Sequence, residues 1–313
     1  LMTDRDEACR STLWEQIDAV LVINLDGSTE RWEKLMNHLE GVVPIEKIHR
    51  IAAVRGTELP GYLSHPWFTA RTGDRARTCA GAAGCVLSHA RALQYALEHE
   101  DWQVILVLED DARLDVERLE RMTPQFQDFM HDPRWELLYV GYHGEPLYAG
   151  KLGKQRDFFN IYRCSGVLGT FSMLLHRRVW RKILQKLPDH RHVWTWIAQY
   201  KAIDYWLQRW FTPFHEVFYV TPAPWHCAEN MVSDISGNMP IKVEKAKAAR
   251  VWSVSRWRKK HGFFLSLCRW IGMQGDRVIR WASCRSRGFS GGKNAEPIHG
   301  ISNQCSKNDH EAG

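Results

Sequence analysis

The sequence predicts an α/β fold with a mainly parallel β-sheet, and two patterns support this prediction. Residues 104–108 (V-I-L-V-L) form a continuous apolar run. Such a run is typical of a strand that is buried on both faces, as the strands of parallel sheets are. Short apolar runs also alternate along the chain with segments whose apolar residues recur at helical spacing. This alternation favours a parallel sheet that is flanked by helices.

The first half of the chain contains the clearest of these elements. In order, we expect a strand over 19–25, a helix over 30–39, a weaker strand over 48–53, a helix over 81–99, a strand over 104–108 and a helix over 116–130. Turn and capping residues at 26–28 precede the first helix. In the helix over 81–99, Val86, Ala90 and Leu93 share one face, which indicates that this face is buried.

The second half predicts fewer elements and suggests where the main domain ends. We expect strands over 136–140 and 170–175, a mobile loop over 142–166 and a helix over 179–187. The pattern changes near Lys245. We therefore divide the chain into an N-terminal extension (1–18), a main domain (19–244), a basic helical region (245–287) and a disordered tail (288–313).

Composition narrows the class of protein. Residues 245–313 hold 14 of the 42 basic and 4 of the 36 acidic side chains, which leaves 28 and 32 in the slightly acidic remainder. The eight cysteines show no zinc-ligand spacing and no C-x-x-C pair, so we interpret them as reduced thiols of a cytoplasmic protein. No signal-peptide core and no stretch of eighteen apolar residues is present, which predicts neither secretion nor a membrane span.

Three consecutive acids, Glu109, Asp110 and Asp111, end the strand over 104–108. They would lie at the carboxyl edge of the sheet, where open α/β folds bind ligands. Neighbouring carboxylates repel one another unless a cation lies between them, and their hard oxygen atoms suit Mg²⁺ or Mn²⁺. The pattern thus indicates a metal ion that holds a diphosphate. The alternative is that the acids only end the strand and cap the next helix.

Six motifs in order extend this interpretation. They are V-I-N-L-D-G-S-T-E-R-W at 22–32, G-A-A-G-C-V-L-S-H at 81–89, L-V-L-E-D-D-A at 106–112, G-T-F-S-M-L-L at 169–175, A-I-D-Y-W at 202–206 and S-D-I-S at 233–236. Together they resemble glycosyltransferase family 25, the lipopolysaccharide and lipooligosaccharide core enzymes. The resemblance implies a GT-A type, Rossmann-like nucleotide-sugar fold, an inverting mechanism and UDP-galactose as donor. Ala82 and Phe171-Ser172-Met173 depart from the family pattern.

The resemblance also assigns site residues. It implies a metal site formed by Asp111 together with Glu109 or Asp110, and His226 as a further metal ligand. It implies contacts with the UDP-sugar from Asn24, Asp26, Arg31, Ser88, His89 and Asp110. An amide and a carboxylate can bind uracil and ribose hydroxyls, and a guanidinium can pair with phosphate. Each assignment has an alternative. Asn24, Asp26 and Arg31 could belong to a capped helix with a surface arginine, and His89 and His226 could be buried structural histidines.

An inverting transfer needs a general base that takes the proton of the attacking hydroxyl. The candidate is Asp204, a single carboxylate among apolar and aromatic residues, an environment that can raise its pKa. Asp204 could instead cap a helix or orient another side chain.

The expected partners are the UDP-sugar and a saccharide acceptor that is lipid-linked. Within 262–287, Phe264, Leu267 and Ile271 share one helical face while arginines project elsewhere, which favours peripheral contact with the inner face of the cytoplasmic membrane. The same face could pack on the main domain. Two further hypotheses are an inactive sugar-nucleotide binder and a nucleic-acid-binding protein; the acidic main body argues against the second, so we expect no nucleic acid partner.

Overall fold

A seven-stranded β-sheet with helices on both faces forms the centre of the protein. A computed structural model describes residues 13–68, 71–144, 160–164, 167–228, 232–233 and 237–240. The sheet has the strand order β2-β1-β3-β7-β5-β8-β6. Its strands are β1 (Ala19–Asn24), β2 (Ile48–Ala52), β3 (Val104–Glu109), β5 (Leu137–His143), β6 (Asn160–Arg163), β7 (Leu168–His176) and β8 (Val217–Thr221). Two small antiparallel ladders pair β4 (Ala112–Leu114) with β9 (Trp225–Cys227) and β10 (Val232–Ser233) with β11 (Gly237–Pro240).

Six α-helices connect or flank these strands in the described residues. They are α1 (Thr29–Leu39), α2 (Gly73–Leu97), α3 (Val116–Met130), α4 (Arg177–Leu184), α5 (Val193–Tyr200) and α6 (Ile203–Trp206). A π-helical stretch, Leu207–Phe211, continues directly from α6. Asp115 caps α3, since its carboxylate accepts a hydrogen bond from the backbone N–H of Arg118. This helix is therefore capped without any of the three acids that end β3.

Five of the seven strands run in the same direction, which confirms a mainly parallel α/β sheet. β1 pairs in parallel with β2 and β3, and β5 pairs in parallel with β8. β7 lies antiparallel between β3 and β5, and β6 is antiparallel at the edge of the sheet. The pattern of apolar residues predicted the strand at β7 but not its direction, because a strand buried on both faces has the same pattern in either direction.

Alternate residues of the central strands enter two separate cores. In β3, Ile105 and Val107 pack with α2 on one face of the sheet, whereas Leu106 and Leu108 pack with α1 and α3 on the other. Every one of these side chains is almost inaccessible to solvent. Burial on both faces is what the uninterrupted apolar run of this strand predicted.

Most of the predicted element bounds agree with the structure to within three residues, and there are two larger differences. The helix predicted over 81–99 begins at Gly73, eight residues earlier, because most of the residues in its first two turns are polar or exposed and the buried ones, Ala76 and Ala80, are small and give a weak apolar signal. The loop predicted over 142–166 contains β6 and the end of β5. The strands β8 and β9 and the helix α5 had no counterpart in the predicted order of elements.

The predictions for the ends of the chain have different outcomes. Leu13, Trp14 and Ile17 of the predicted N-terminal extension are buried in the core that α1 and α3 cover. The basic helical region (245–287), the tail (288–313) and the membrane-binding face within 262–287 lie outside the described residues. Among the residues that the structure does describe, no helix combines the length and apolar character needed to cross a bilayer.

Candidate active site

Four strands of the central sheet bring polar residues to one edge. Ile23, next to Asn24, lies opposite Glu109, so β1 and β3 end side by side. Because β7 is antiparallel to β3, its first residues reach this same edge, where Thr170 donates a hydrogen bond to Glu109 (2.7 Å). β5 also ends here, at His143. The topology thus creates a polar cluster at the carboxyl edge, where the three acids were expected.

Asp110 is held by two side chains, one from the end of β1 and one from α1. The amide nitrogen Nδ2 of Asn24 donates to its Oδ2 (2.7 Å), and the guanidinium of Arg31 pairs with its Oδ1. Arg50 in turn donates to Oδ1 of Asn24 from both Nε (2.9 Å) and Nη2 (2.8 Å). Asn24 is 1% exposed and Asp110 6%. The charge of Asp110 is therefore balanced by Arg31, and the amide of Asn24 is engaged by Asp110, by Arg50 and by the carbonyl of Ser28 (3.1 Å).

Asp111 has a different environment from its neighbour. Its Oδ1 is buried and has no hydrogen-bond partner among the described residues, and its Oδ2 lies 3.8 Å from Nη2 of Arg31. Burial and the nearby charges of Glu109 and Asp110, only partly offset by Arg31, raise the pKa of Asp111 to about 7. The carboxylate form is thus under-compensated, which is the electrostatic condition that a bound cation would relieve.

Glu109 is stabilised as a carboxylate. Burial raises the pKa of Glu109, but a hydrogen bond and charge from His89 and the hydroxyl of Thr170 outweigh this effect, so the net shift is downward. Nε2 of His89 lies 3.3 Å from Oε1 of Glu109, and His89 itself is 3% exposed. His89 is therefore part of the cluster because it contacts Glu109, although its side chain is buried.

Asp204 enters the same cluster from α6. Its carboxylate accepts hydrogen bonds from the backbone N–H groups of Tyr205 (2.7 Å) and Gly169. Burial and the charge of Glu109 raise the pKa of Asp204 despite these hydrogen bonds and the charge of His143. Gly169 has a φ of +95°, a conformation that favours glycine, so this residue type is needed to aim the N–H at Asp204.

Three predicted site residues, Asp26, Ser88 and His226, have surroundings that differ from those of the acids. Asp26 is exposed and lies 3.2 Å from Nη2 of Arg50. Ser88 is buried, and its hydroxyl accepts from the N–H of Val54 (2.8 Å) and donates to the carbonyl of Gly84 (2.7 Å). This geometry supports a structural role for Ser88, which ties α2 to the segment after β2.

His226 is the third of these residues. It is exposed on β9, opposite Arg113 of β4, so it is not the buried histidine of the structural alternative. Successive residues of a strand point to opposite faces. Accordingly the next residue, Cys227, is the one whose thiol is influenced by Asp111 and Glu109. A role for His226 in metal binding remains a prediction.

Sequence reasoning missed four residues in or next to this cluster: Thr170, His143, Cys227 and Arg50. Thr170 and His143 were placed in a strand and a loop. The antiparallel direction of β7 brings Thr170 to the edge, and the carboxyl end of β5 brings His143 there. Sγ of Cys227 lies 3.6 Å from Nε2 of His143. A polar residue directly after an apolar strand was the available signal for His143, and it resembles the signal that identified the three acids.

Three solved structures overlap with this fold in part. A197 from STIV shares 12% identity over 64% of this chain and 80% of its own, with a TM-score of 0.32. Mannose-1-phosphate geranyltransferase from Thermus thermophilus shares 13% identity over 71% of this chain and 76% of its own, also with a TM-score of 0.32. Mouse xyloside xylosyltransferase 1 in its apo form shares 14% identity over 65% of this chain and 75% of its own, with a TM-score of 0.26.

Comparison of the sequence with models of protein families gives one match. Residues 17–142 match the family model of glycosyltransferase family 25, described as LPS biosynthesis protein. The matched range contains the three acids, Asn24 and Arg31, and it ends before Asp204 and His226. Among curated proteins, none matches the chain. The match confirms the resemblance over this range and supports a glycosyltransferase role.

Proposed function

Since residues 17–142 match glycosyltransferase family 25, we propose that the protein is a metal-dependent, inverting glycosyltransferase. It would move a hexose, galactose first among the candidates, from a UDP-sugar to a saccharide hydroxyl of a lipooligosaccharide or lipopolysaccharide core. The observation that carries the metal dependence is the buried Oδ1 of Asp111 at the carboxyl edge of the sheet, which has no hydrogen-bond partner in the described residues. The acceptor class comes from the family resemblance.

The residues at this edge fit a hard divalent cation such as Mn²⁺ or Mg²⁺. Asp111 and Glu109 offer carboxylate oxygens, the ligand type that these ions prefer. Asp110 is already paired with Arg31 and Asn24, so we assign it to positioning rather than to the ion. When bound, the ion would act as a Lewis acid that stabilises the charge of the departing diphosphate.

We propose that Arg31 contacts both the acids and the phosphates of the donor. This proposal is supported by its ion pair with Asp110 and by the distance of 3.8 Å between its Nη2 and Oδ2 of Asp111. Asp26 and Arg50 form an ion pair at the surface (3.2 Å), and the guanidinium of Arg50 lies 5.6 Å from the ring centroid of Trp32. We propose that these surface groups contact the nucleoside, while Asn24 holds Asp110.

Asp204 would act as the general base. As the acceptor oxygen forms its bond to the anomeric carbon, its proton passes to the carboxylate of Asp204. The bond between that carbon and the phosphate oxygen breaks, and UDP leaves from the opposite face, which inverts the configuration. A carboxyl pKa that burial has raised suits this role, since the group then binds the proton more readily.

Asp111→Asn tests the proposal. A panel of UDP-sugars is assayed for Mn²⁺-dependent UDP release and for transfer to a saccharide acceptor, with and without a chelator. We expect the variant to lose roughly 1000-fold or more in turnover, because several kcal/mol of transition-state stabilisation are lost. Asp74→Asn, an exposed acid at the start of α2, is the matched control and should retain wild-type turnover.

Two results would count against the proposal. Wild-type turnover that persists in chelator would rule out metal dependence, and near-normal turnover of folded Asp111→Asn would remove Asp111 from the site. Circular dichroism and the melting temperature establish that both variants are folded, so loss of activity cannot be attributed to unfolding.

A further inference from the structure

Behind the three acids, two potential metal ligands project from α2 toward the end of β3. Cys85 and His89 are four residues apart, so they lie on the same face of this helix, one turn apart. One ligand atom from each of Cys85, His89 and Glu109 lies within 4.8 Å of the other two. We propose that these three residues form a second cation site, one that binds a borderline-soft divalent ion of the Zn²⁺ type.

The chemistry of the three ligands distinguishes this site from the one at Asp111. A thiolate and an imidazole favour Zn²⁺ over Mg²⁺ or Mn²⁺, and Zn²⁺ is commonly held by a combination of Cys, His and carboxylate ligands. Two ligands at i and i+4 on a helix are a frequent half of a zinc site. Three protein ligands leave a fourth position for water, as is common at zinc sites with three protein ligands.

The local electrostatics favour a positive charge at this position. The three charged groups that act most strongly on the thiol of Cys85 are carboxylates, those of Glu109, Asp204 and Asp111. Its burial and their fields raise the pKa of this thiol and keep it protonated in the absence of a cation. A cation bound there would interact favourably with all three carboxylates, and the thiol would release its proton to solvent as the sulfur–metal bond forms.

This site shares Glu109 with the site proposed for the hard cation, and this has a regulatory consequence that rests on the proposed function. An ion held by Cys85 and His89 would withdraw Glu109 from the edge of the cleft. Zn²⁺ should therefore inhibit transfer, and excess Mn²⁺ should relieve the inhibition only in part because the two ions use different sets of ligands.

Cobalt is the probe for the binding step, since it substitutes for Zn²⁺ and a thiolate ligand adds a charge-transfer absorption band. The reduced, metal-free full-length protein is titrated with Co²⁺, and then with Zn²⁺ to displace it. We expect a thiolate–cobalt band that saturates at one equivalent and disappears on addition of Zn²⁺. The band should be lost in Cys85→Ser and weakened at least 10-fold in affinity in His89→Gln.

Cys79→Ser is the matched control, because Cys79 lies on the same helix and its thiol is influenced by the charges of Arg71 and Arg75 rather than by the acids. It should keep the band. Absence of the band in the wild-type protein, or an undiminished band in Cys85→Ser, would overturn the proposal. Melting temperatures show whether each variant is folded, and the wild-type spectrum decides the question if Cys85→Ser is not.

The binding and activity results separate the two proposals. A cobalt band that depends on Cys85, in a protein without transferase activity, would support the site and refute the proposed function. Transferase activity in a protein that shows no cobalt band would support the proposed function and refute the cation site at Cys85. With both present, inhibition by Zn²⁺ should be at least 10-fold weaker in Cys85→Ser than in Cys79→Ser.

Discussion

At the end of β3, the negative charges of three consecutive carboxylates are neutralised to different extents, because the side chains around each carboxylate differ. Asp110 meets Arg31 and Asn24, and Glu109 meets His89 and Thr170. The remaining buried oxygen, Oδ1 of Asp111, has no such partner in the described part of the chain. Three adjacent acids at a strand end predicted the location of the site. They could not show which acid would have an oxygen without a partner, because the partners of the other two come from 20 to 86 residues away.

Asp204→Asn tests the general base at the scale of one side chain. We expect turnover to fall by roughly 100-fold to 10,000-fold, the usual contribution of proton transfer, while the affinity for UDP changes little. The amide keeps the size of the carboxylate, and its oxygen can still accept the hydrogen bond from the N–H of Tyr205, so α6 should stay in place. Steady-state kinetics and calorimetric titration with UDP measure the two quantities.

Near-normal turnover of Asp204→Asn would exclude this residue as the base. A parallel loss of UDP affinity would point instead to a positioning role. Asp189→Asn is a suitable control, since Asp189 is an exposed acid that contacts His192 and should leave both quantities unchanged.

At the scale of one element, α2 packs unusually close to the segment that follows β2. A Cβ atom on Gly84 would lie 2.3 Å from the carbonyl oxygen of Val54 and 2.9 Å from the nitrogen of Gly56. The backbone N–H of Val54 donates to Ser88 one turn further along. The close approach of α2 to the backbone of Val54 thus requires glycine at position 84. Val54 contacts the helix twice, through its carbonyl oxygen next to Gly84 and through its N–H, which donates to Ser88.

Gly84→Ala is expected to destabilise the protein. In an isolated helix this change would stabilise by about 1 kcal/mol. Here the added methyl group would collide with backbone atoms, and forced shifts of this kind cost about 1–3 kcal/mol. The difference between these two effects is a fall of up to about 2 kcal/mol in the free energy of unfolding, which urea denaturation measures.

Gly27→Ala is the control for this change, because its Cβ would lie 3.4 Å from the flexible end of Arg55. It should alter the free energy of unfolding by less than about 0.5 kcal/mol. Equal stability of the two variants would show that the contact of α2 with Val54 is less rigid than its geometry indicates.

The elements that could be predicted are those whose pattern is local. The bounds of α1, β1 and α3 were predicted to within a residue, since an apolar stripe, a capping residue or an uninterrupted apolar run marks each of them. The start of α2 was missed because the buried residues of its first two turns, Ala76 and Ala80, are small and lie among polar residues. The glycine at position 84 was part of a recognised motif, but its reason lies in a contact with a segment thirty residues away.

At the scale of the whole molecule, stability at low pH should depend on Glu136, at the edge of the sheet opposite the acids. Burial raises the pKa of Glu136, but hydrogen bonds from His215, Lys182 and the N–H of Glu216 lower it to about 2. Its folded-state pKa lies below the unfolded value, so its contribution is present above about pH 4.5 and is lost as the pH falls toward 2.

Glu136→Gln measures this contribution. We expect the variant to be less stable than the wild type by on the order of 2 kcal/mol at neutral pH, a value reduced because Lys182 is half exposed. The difference should shrink steadily below pH 4.5. Urea denaturation across this range is the measurement, and a difference that stays constant down to pH 2 would contradict the assignment.

The overall α/β architecture followed from the sequence, but the order of the strands did not. Local patterns show which segments are strands and whether both of their faces are buried, as in β3. They do not show that β7 inserts between β3 and β5, because pairing depends on contacts among distant segments. Asp204 was identified from its apolar and aromatic neighbours and from a motif of the resemblance, but neither showed that Gly169, at the start of β7, would donate a hydrogen bond to it.

The reversed direction of β7 has an evolutionary consequence. Most strands in this sheet deliver their last residues to the cleft, whereas β7 delivers its first, so Thr170 arrives there directly from the stretch of chain that precedes the strand. Substitutions at the start of this strand can then alter how Glu109 is held while every acid at the end of β3 stays in place. Related chains with the same topology could therefore diverge at position 170 without losing their carboxylates.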